Sequence, residues 1–410
     1  MSIHGYAELP LHDGRVPPHL LYYMKRLGKA ITMYIIDALG PDALVKKLAD
    51  PLWFQAFNNV IGMDWDSSGS TTVVLYILKS FANVGTLNEV GFAILGGKGV
   101  DAREVKNEVE KLAHYGLDPE YYRYVSKISA KIDGTVLQDG YTLYIHGLVI
   151  SSNGLWTVVQ QGMNVDKKIA RRYHIHTSYL TVEQDPHSGI ACNLRSYALN
   201  LIDIESRKTR KTILDLLTSP RQIIRDISYA NRLLNKDKSL EQWIRRADNK
   251  NSSKVDHGIR NLVNVNPLFY KPITNISRIE KTLNSLVNKV IDSFDTLVLQ
   301  ENVGPELIRA LALVADLIYG DTPSFRDPVT HTIDPFAYAF AHGGKDGIPF
   351  PIKLDVMKET IEFLEDAINN ANLDTKLKKK ALENLYHYWC SLQYSERKTI
   401  KLNKIKEHYI

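Results

Sequence analysis

Acidic, basic and histidine side chains cluster between residues 127 and 189, and their types suit phosphodiester chemistry. We predict Asp133 and Asp139 as metal ligands and catalytic carboxylates, with Lys131 and His174 acting at the phosphate. Phosphodiester hydrolysis with Mg²⁺ or Mn²⁺ needs oxygen ligands for the ion and a cation for the developing phosphorane charge. The cluster therefore predicts a metal-dependent nuclease site. Both aspartates precede glycine, so a turn role is the alternative.

These residues lie on and around a predicted β-hairpin. Strand-forming runs at Tyr141–Ile150 and Leu155–Gln161 flank an Asn153-Gly154 pair, the strongest short-range hairpin signal. On the second strand, alternation places Gln160 on one face and Gln161 on the other. Further strands are predicted at Gly91–Leu95 and Ser178–Glu183, and helices over 17–50, Thr71–Ala82 and 102–125.

A second candidate site lies in the segment 297–320, where the pattern predicts two helices joined by a tight turn. A short apolar run precedes Glu301-Asn302-Val303-Gly304-Pro305, and the next helix has apolar residues near 3.6-residue spacing. Pro305 suits the first helical position, and Gly304 allows a tight turn. Free N–H groups at the helix start suit a phosphate. We therefore predict nucleic-acid contacts at Val303, Gly304, Pro305 and Arg309.

The same segment resembles the helix-hairpin-helix modules of DNA-repair proteins, whose hairpin usually reads hydrophobic-x-Gly-hydrophobic-Gly. Asn302 replaces the first glycine, and asparagine tolerates the left-handed backbone. DNA glycosylases of this superfamily carry a catalytic Asp downstream of the hairpin, and Asp327 lies 23 residues past Gly304 (327 minus 304). Glu306 stands where the lyase-type members have a catalytic Lys, so a Schiff-base lyase is not expected. A cap or turn role before Pro328 is the alternative for Asp327.

Positive charge is concentrated at the C-terminal end. The net charge is +5, and residues 371–410 contain nine Lys or Arg and four Asp or Glu, so the remainder of the chain is formally neutral. Lys378 and Lys379 in this region, and Lys345 in a glycine-rich loop, are predicted as further DNA contacts. A basic surface beside a backbone-binding turn is typical of nucleic-acid binding, whereas a solvated helix face is the alternative.

Composition limits the class of protein. The 410 residues, 44% hydrophobic and 24% charged, are enough for two or more globular domains. No apolar run approaches the roughly 20 residues of a membrane helix, and the N-terminus lacks the form of a signal peptide. Two cysteines are too few for a zinc site or a disulfide framework. The prediction is a cytoplasmic protein with no membrane partner.

The expected fold class is α+β. We predict an N-terminal mixed α/β domain at 1–205 that holds the active site and a hairpin-containing sheet. A basic helical linker region with an exposed loop follows at 206–277, and a helical domain with the helix-hairpin-helix and a basic tail occupies 278–410.

Several phrases along the chain resemble an archaeal and bacterial family catalogued as domain of unknown function number seven hundred and sixty-three. They include Ala7–His12, Leu137–Tyr141, Val158–Asn164, Arg171–His174, Pro186–Gly189, Ala310–Gly320, Ser324–Pro328 and His342–Gly347. The match spans nearly the whole chain. The family's usual hairpin resembles Pro-Gly-Val-Gly-Pro, so Glu301-Asn302 is a departure. No activity comes with the family name.

The combined expectation is a DNA-processing enzyme, a metal-dependent nuclease of repair or recombination that binds single-stranded or structured DNA. Its phosphate contacts would position the DNA without reading sequence. A base-excision glycosylase using Asp327 is the second hypothesis. A non-catalytic DNA-binding scaffold is the third.

Overall fold

The computed structural model describes residues 16, 18–62, 69–192, 194–244, 266, 268–332 and 354–385. The named α-helices are α1 (Pro18–Leu39), α2 (Pro41–Leu48), α3 (Pro51–Val60), α4 (Gly69–Lys79), α5 (Leu87–Val90), α6 (Asp101–Glu108), α7 (Pro119–Lys131), α8 (Arg207–Leu216), α9 (Pro220–Ile244), α10 (Ile276–Leu286), α11 (Phe294–Leu299), α12 (Pro305–Tyr319) and α13 (Leu354–Asn370). Residues 375–385 are also helical. Short 3₁₀ helices lie at Val84–Thr86, Val109–Tyr115 and Ile204–Ser206, and a π-helical turn, Ile132–Val136, continues α7.

One large sheet runs through the middle of the fold. The strands are β1 (Phe92–Lys98), β2 (Leu137–Gln138), β3 (Thr142–Ser151), β4 (Trp156–Asn164), β5 (Ile169–Ile175), β6 (His187–Cys192), β7 (Leu199–Asn200) and β8 (His331–Thr332). The large sheet has the order β1-β3-β4-β5-β6-β8. Its first five strands pair antiparallel, and β8 joins β6 in parallel. Strands β2 and β7 form a separate two-stranded sheet. The predicted α+β class is confirmed.

Helices cover both faces of the sheet because successive strand side chains point to opposite sides. On one face, Leu148, Val158 and Ile175 pack in a buried apolar cluster with residues of α6 to α12, which we call the first layer. On the other face, Ile145, Val149 and Val159 pack with α1 to α4, α13 and the helix 375–385, the second layer.

These two clusters cross the boundaries predicted from the sequence. The region predicted as a linker contributes buried residues of α8 and α9, such as Ile213 and Ile223, to the first cluster. The C-terminal third of the chain is divided, because α12 belongs to the first layer whereas Ile368 and Leu385 belong to the second. The described residues therefore do not separate into cores at residues 205 and 277.

Most of the predicted local elements are present. Strands β3 and β4 form the expected hairpin, with Gly154 at φ 90° in its turn, and α4 matches the buried helix predicted at Thr71–Ala82. The strand predicted at Ser178–Glu183 is wrong. Its backbone and hydroxyl groups bind Asp295 instead of a strand partner: Val182 N–H donates to Oδ1 at 2.7 Å and Thr181 Oγ1 to Oδ2 at 2.7 Å.

None of the described helices combines the length and the apolar character that crossing a membrane requires.

Candidate functional site

The first candidate site forms where α7 passes into its π-helical turn. Asp133 lies in that turn, and its side chain is fully buried. Its Oδ1 lies 2.7 Å from Nε2 of His187, whose Nδ1 lies 2.5 Å from Oδ1 of Asp185. The Asp185 side chain is 40% exposed, so this series of hydrogen-bonded side chains reaches the solvent at Asp185. Two carboxylates therefore hold one imidazole from opposite sides.

The charge on His187 is fixed by these neighbours. Burial opposes protonation, but the charges of Asp133 and Asp185 outweigh it and raise the pKa of His187 to about 10. Burial raises the pKa of Asp133, and the charge of His187 only partly offsets this. His187 is thus an imidazolium at neutral pH. The stability that its pairing contributes is complete below its ordinary pKa of about 6.5 and is lost as the pH rises through about 10.

Asp133 also connects to a hydroxyl through two buried side chains. Gln160 Nε2 donates to Asp133 Oδ2 at 2.5 Å and to Ser129 O at 3.1 Å, so its Oε1 faces Nδ1 of His146, 2.8 Å away. The amide orientation follows because both partners of Nε2 are acceptors. Nδ1 of His146 therefore carries the proton, and Nε2, 2.8 Å from Ser126 Oγ, accepts from the hydroxyl. Burial lowers the pKa of His146, which keeps it neutral.

Asp139 lies in a second ionic group beside the first. Arg171, whose side chain is 0% exposed, contacts Asp139 Oδ2 at 2.7 Å and holds Asp327 with two hydrogen bonds of 3.1 and 2.8 Å. The Tyr173 hydroxyl also donates to Asp139 Oδ2, at 2.8 Å. The N–H of Tyr141 donates to Oδ1 of Asp139, and Gly140 has φ 88°, so the turn predicted at Asp139-Gly140 is present as well.

The two groups interact electrostatically and together carry excess negative charge. The charge of Asp139 contributes to raising the pKa of Asp133, after burial. Four carboxylates, Asp133, Asp139, Asp185 and Asp327, form direct ion pairs with two cations, Arg171 and His187, and the charge of Arg326 also acts on Asp185. With all four ionised, four minus two leaves a charge of −2. Within the described ranges, no group of three His, Cys, Asp or Glu side chains has the mutual spacing of a metal site.

Two of the residues predicted for this site lie elsewhere. His174 is on the opposite face of the sheet, where Arg172 Nε donates to its Nε2 at 3.0 Å and its Nδ1 lies 2.9 Å from the Leu48 carbonyl. Burial first, and then Arg172, lower the pKa of His174 well below its usual range. Lys131 points away from the carboxylates and donates to the carbonyl of Val303. The predicted grouping of His174 and Lys131 with the aspartates is therefore wrong in position.

The second candidate site is the α11–α12 turn, residues 300–305. Asn302 has φ 64°, the left-handed conformation that asparagine tolerates, and Val303 is buried. Gly304 caps α12 with φ −129°, an extended conformation open to any residue, and a Cβ built there meets no atom within 4 Å. The prediction that Gly304 permits the turn is therefore wrong, because the left-handed residue is Asn302.

Three lysines surround this turn. Lys127 Nζ donates to Leu299 O at 2.8 Å, Lys289 Nζ to the Gln300 side chain at 3.0 Å, and Lys131 to Val303 O. Glu306, in the first turn of α12, is held by Asn275 at 2.9 and 3.1 Å. Lys127 and Lys131 therefore fix the turn to α7, and all three lysines place positive charge around it.

The other predicted DNA contacts are dispersed. Arg309 donates to the carbonyls of Phe269 and Lys271 at 3.0 and 2.6 Å, which is an internal role. Lys378, whose Nζ donates to Asn369 O, and the exposed Lys379 lie on the helix 375–385 of the second layer, away from the turn. Lys345 and the tail beyond residue 385 lie outside the described residues.

The sequence did not identify His187, Asp185 or Arg171 as site residues. Asp133 meets His187 across 54 positions, and the contact depends on an irregularity in the β5–β6 pairing that sets Ile175 opposite His187. The alternation rule did separate Gln160 from Gln161 correctly, since Gln161 donates to the Tyr144 hydroxyl on the second-layer face. The one usable local signal was the Asp185-Pro186-His187 phrase itself.

Comparison with known protein families matches residues 5–352 to the family described as Protein of unknown function (DUF763). This confirms the family resemblance predicted from the motifs. No curated protein and no solved structure matches the chain.

Proposed function

We propose that this chain, which belongs to the DUF763 family, is a DNA-processing enzyme, a metal-dependent nuclease of DNA repair or recombination. The α11–α12 turn would dock the DNA backbone, and the network around Asp133 would carry the chemistry. The observation that carries this proposal is the contact between the two candidate sites. Lys131, on α7, binds the carbonyl of Val303 in the turn, and the next helical turn contains Asp133.

The same segment makes a second contact with the turn. Gln138 Nε2 donates to Pro305 O at 2.9 Å, so residues 131–138 run from the α11–α12 turn to the buried network. Residues that are 172 positions apart in the sequence thus lie side by side. The segment includes the π-helical turn 132–136. The π-helix is rare, and single π-helical turns inside α-helices are frequently found at functional sites.

Docking at the turn is supported by Gly304. Neither its backbone conformation nor its packing requires glycine, since φ is extended and a Cβ would meet open space. Close approach of a ligand to the backbone is a remaining reason for glycine at such a position. The start of α12 has no side-chain cap, and uncapped N–H groups at a helix N-terminus are suited to a phosphate oxygen.

A divalent cation fits the charge of the network. Asp133 and Asp139 repel each other, and the four carboxylates exceed the two cations by two charges. A carboxylate offers about four lone-pair positions. Described hydrogen bonds use two on Asp133 and three on Asp139, which leaves ligand capacity on both. Mg²⁺ or Mn²⁺ held there would supply charge stabilisation for phosphodiester hydrolysis.

The chain's own residues would handle the proton. His187 is a charged donor between Asp133 and the exposed Asp185, and neutral His146 accepts from Ser126 at the other end of the network. General acids and bases contribute when they lie within hydrogen-bond reach of the reacting group. Gln160 positions both Asp133 and His146.

The glycosylase hypothesis is weaker on the same geometry. Asp327 accepts two hydrogen bonds from Arg171 and one each from the N–H groups of Ser196 and Val329, so its four lone-pair positions are occupied. A carboxylate saturated in this way ties the segment around residue 327 to the sheet.

The function is tested by incubating the protein with labelled single-stranded, duplex, flapped and uracil-containing DNA, in Mn²⁺ and in EDTA. A nuclease gives backbone cleavage that depends on Mn²⁺. Abasic product from uracil DNA in EDTA would establish the glycosylase instead. Retention of DNA with no product in either condition would leave a binding scaffold and refute the proposal.

Docking at the turn predicts an unusual result for Gly304→Asp. Aspartate is a favourable N-cap, so the thermal midpoint should stay equal or rise, because the capped N–H groups are satisfied. Its charge stands where a phosphate would lie, so affinity for duplex DNA should fall on the order of tenfold at about 50 mM salt. Both quantities are measured on one preparation, by thermal unfolding and by fluorescence anisotropy.

Asn83→Asp is the matched control, since Asn83 caps another helical turn and gains the same charge. It should leave DNA affinity unchanged. If Gly304→Asp binds DNA as tightly as the Asn83→Asp control, the turn is not the docking site.

A further inference from the structure

An exposed aromatic and basic surface lies on the second layer, on the other side of the sheet from the α11–α12 turn. We call it the tyrosine patch, and it consists of Tyr22, Tyr23, Lys25, Arg26 and Lys29 on α1 with Tyr76 on α4. The three tyrosines are 58%, 44% and 51% exposed, respectively. Isolated exposed aromatic residues are ordinary on a protein surface, but a contiguous group marks an interaction site.

Contacts join five of the six members of the patch into two groups, which meet on α1 at the adjacent residues Lys25 and Arg26. Lys25 Nζ lies 4.6 Å from the ring centroid of Tyr76 and 3.3 Å from its hydroxyl, which connects α1 to α4. The Arg26 guanidinium lies 5.8 Å from the ring of Tyr22, and the rings of Tyr22 and Tyr23 meet edge to face at 5.4 Å. Positive groups and aromatic rings thus alternate over one surface.

The charge of the patch is of one sign along both helices. Residues 18–36 of α1 and all of α4 contain no Asp or Glu. Lys79, at the end of α4, is paired with Glu108 at 2.7 Å and therefore does not belong to the patch. Arg26 has one acidic contact, Asp374 at 3.7 Å, and both side chains of that pair are about half exposed. Such an exposed pair is weak and exchanges readily with another anion.

This combination matches one ligand chemistry. Bases of a single strand stack on aromatic rings, which every base can do, and adjacent lysine or arginine groups meet the phosphates. Duplex DNA hides the faces of its bases, so it offers the tyrosines nothing to stack on. An acidic peptide would satisfy the lysines but would leave the three exposed rings without a partner.

We propose that the tyrosine patch binds single-stranded nucleic acid. The proposal rests on the proposed function, because it takes nucleic acid as the partner. It further specifies that this nucleic acid is single-stranded. Tyr22, Tyr23 and Tyr76 provide the stacking surface, and Lys25, Arg26 and Lys29 contact the backbone. The α11–α12 turn belongs to the first layer and the tyrosine patch to the second, so the two sites would contact different segments of one substrate. DNA with both a duplex and a single-stranded segment fits this arrangement.

The test compares two triple variants of the full chain by fluorescence anisotropy with labelled oligothymidylate. Tyr22→Ala/Tyr23→Ala/Tyr76→Ala removes the rings of the patch. Tyr179→Ala/Tyr197→Ala/Tyr229→Ala removes three similarly exposed tyrosines elsewhere. The patch variant should lose affinity on the order of 100-fold, given that each stacked base contributes measurably, while the control stays within about twofold of wild type. Duplex affinity should be unchanged in both.

A charge variant separates stacking from attraction. Lys25→Gln/Arg26→Gln/Lys29→Gln should flatten the salt dependence of single-strand binding, by about 0.7 in the logarithmic slope for each phosphate that is no longer neutralised. Unlabelled polyglutamate should compete far more weakly than unlabelled oligothymidylate.

Three results would overturn the proposal: no single-strand binding by wild type, equal affinity of the two tyrosine variants, or competition by polyglutamate as strong as by the oligonucleotide. Failure of the proposed nuclease function is read separately, as absence of Mn²⁺-dependent product from wild-type protein.

Discussion

Arg171→Leu is expected to lower the free energy of unfolding by about 3–5 kcal/mol, the usual cost of removing one partner from a buried ion pair. Arg171 holds Asp139 at 2.7 Å and Asp327 at 2.8 Å, and the three side chains are 0%, 1% and 6% exposed. Leucine would leave two buried carboxylates without their cation. The guanidinium of Arg171 also lies 4.4 Å from the ring of Tyr141 and donates to the carbonyl of Leu194 at 3.0 Å, so packing is weakened as well.

The destabilisation should depend on pH in a defined direction. A buried carboxylate without its cation is disfavoured in the charged form, so mild acid relieves the cost of leaving such a group unpaired. The stability difference between wild type and Arg171→Leu should therefore shrink as the pH falls from 7 towards 5. Chemical denaturation at several pH values measures it.

Two further variants define the cause. Arg26→Leu removes an exposed arginine whose partner Asp374 lies 3.7 Å away, and should cost no more than about 1 kcal/mol. Arg171→Leu combined with Asp139→Asn and Asp327→Asn removes the uncompensated charge and should recover part of the stability. A cost for Arg171→Leu no larger than that of Arg26→Leu would contradict the ionic role described for it.

The same arginine explains why the sequence revealed only part of the sheet. Strand β5 contains Arg171, Arg172 and His174, and every one of its residues is buried. A strand of that composition is not predicted as buried, because the partners that neutralise it are remote. Asp139 is 32 positions away from Arg171 and Asp327 is 156. By contrast, β3 and β4 follow from the local Asn153-Gly154 turn and the strand pattern on either side.

The sequence also predicts the α11–α12 turn, because the residues that determine it are close together in the chain. Pro305 begins α12, as its fixed φ and missing N–H predict, and Asn302 takes the left-handed conformation. The sequence does not predict the role of Gly304, because that role depends on the groups that lie near the residue in space. Likewise Lys131 stands two positions before Asp133, yet its direction is set by a carbonyl of the turn.

The active-site prediction was partly local and partly not. Residue type alone predicts Asp133 and Asp139, and the fold does bring them into one electrostatic group. Residue type also predicts His174, but His174 lies on the other face of β5 from Tyr173, as period-two alternation requires. The side of the sheet that each β5 side chain faces depends on how β5 pairs with its neighbouring strands. The local sequence does not predict that pairing.

Asp133→Asn has the second large expected effect, a fall in cleavage rate of at least about 100-fold, the size expected when the proton donor His187 loses a carboxylate that keeps it charged. Asparagine keeps the shape but removes the negative charge that holds His187 at 2.7 Å and one proposed oxygen ligand. The pKa of His187 should fall as well, because its charged state is left with one of its two carboxylate neighbours.

Asp226→Asn is the matched control. Asp226 is also a buried carboxylate, hydrogen-bonded to Gln222 and Tyr319 at 2.7 and 3.0 Å, but it lies outside the network. Circular dichroism and thermal unfolding should show both variants folded. Only Asp133→Asn should lose activity.

The most direct measurement of the central claim, that the network around Asp133 cleaves phosphodiester bonds, is the ratio of initial cleavage rates of Asp133→Asn and wild type. It is taken in saturating Mn²⁺ on the best substrate of the DNA panel, with Asp226→Asn alongside. The expected ratio is below about 1/100 for Asp133→Asn and near 1 for Asp226→Asn. Equal rates for wild type and Asp133→Asn would contradict it.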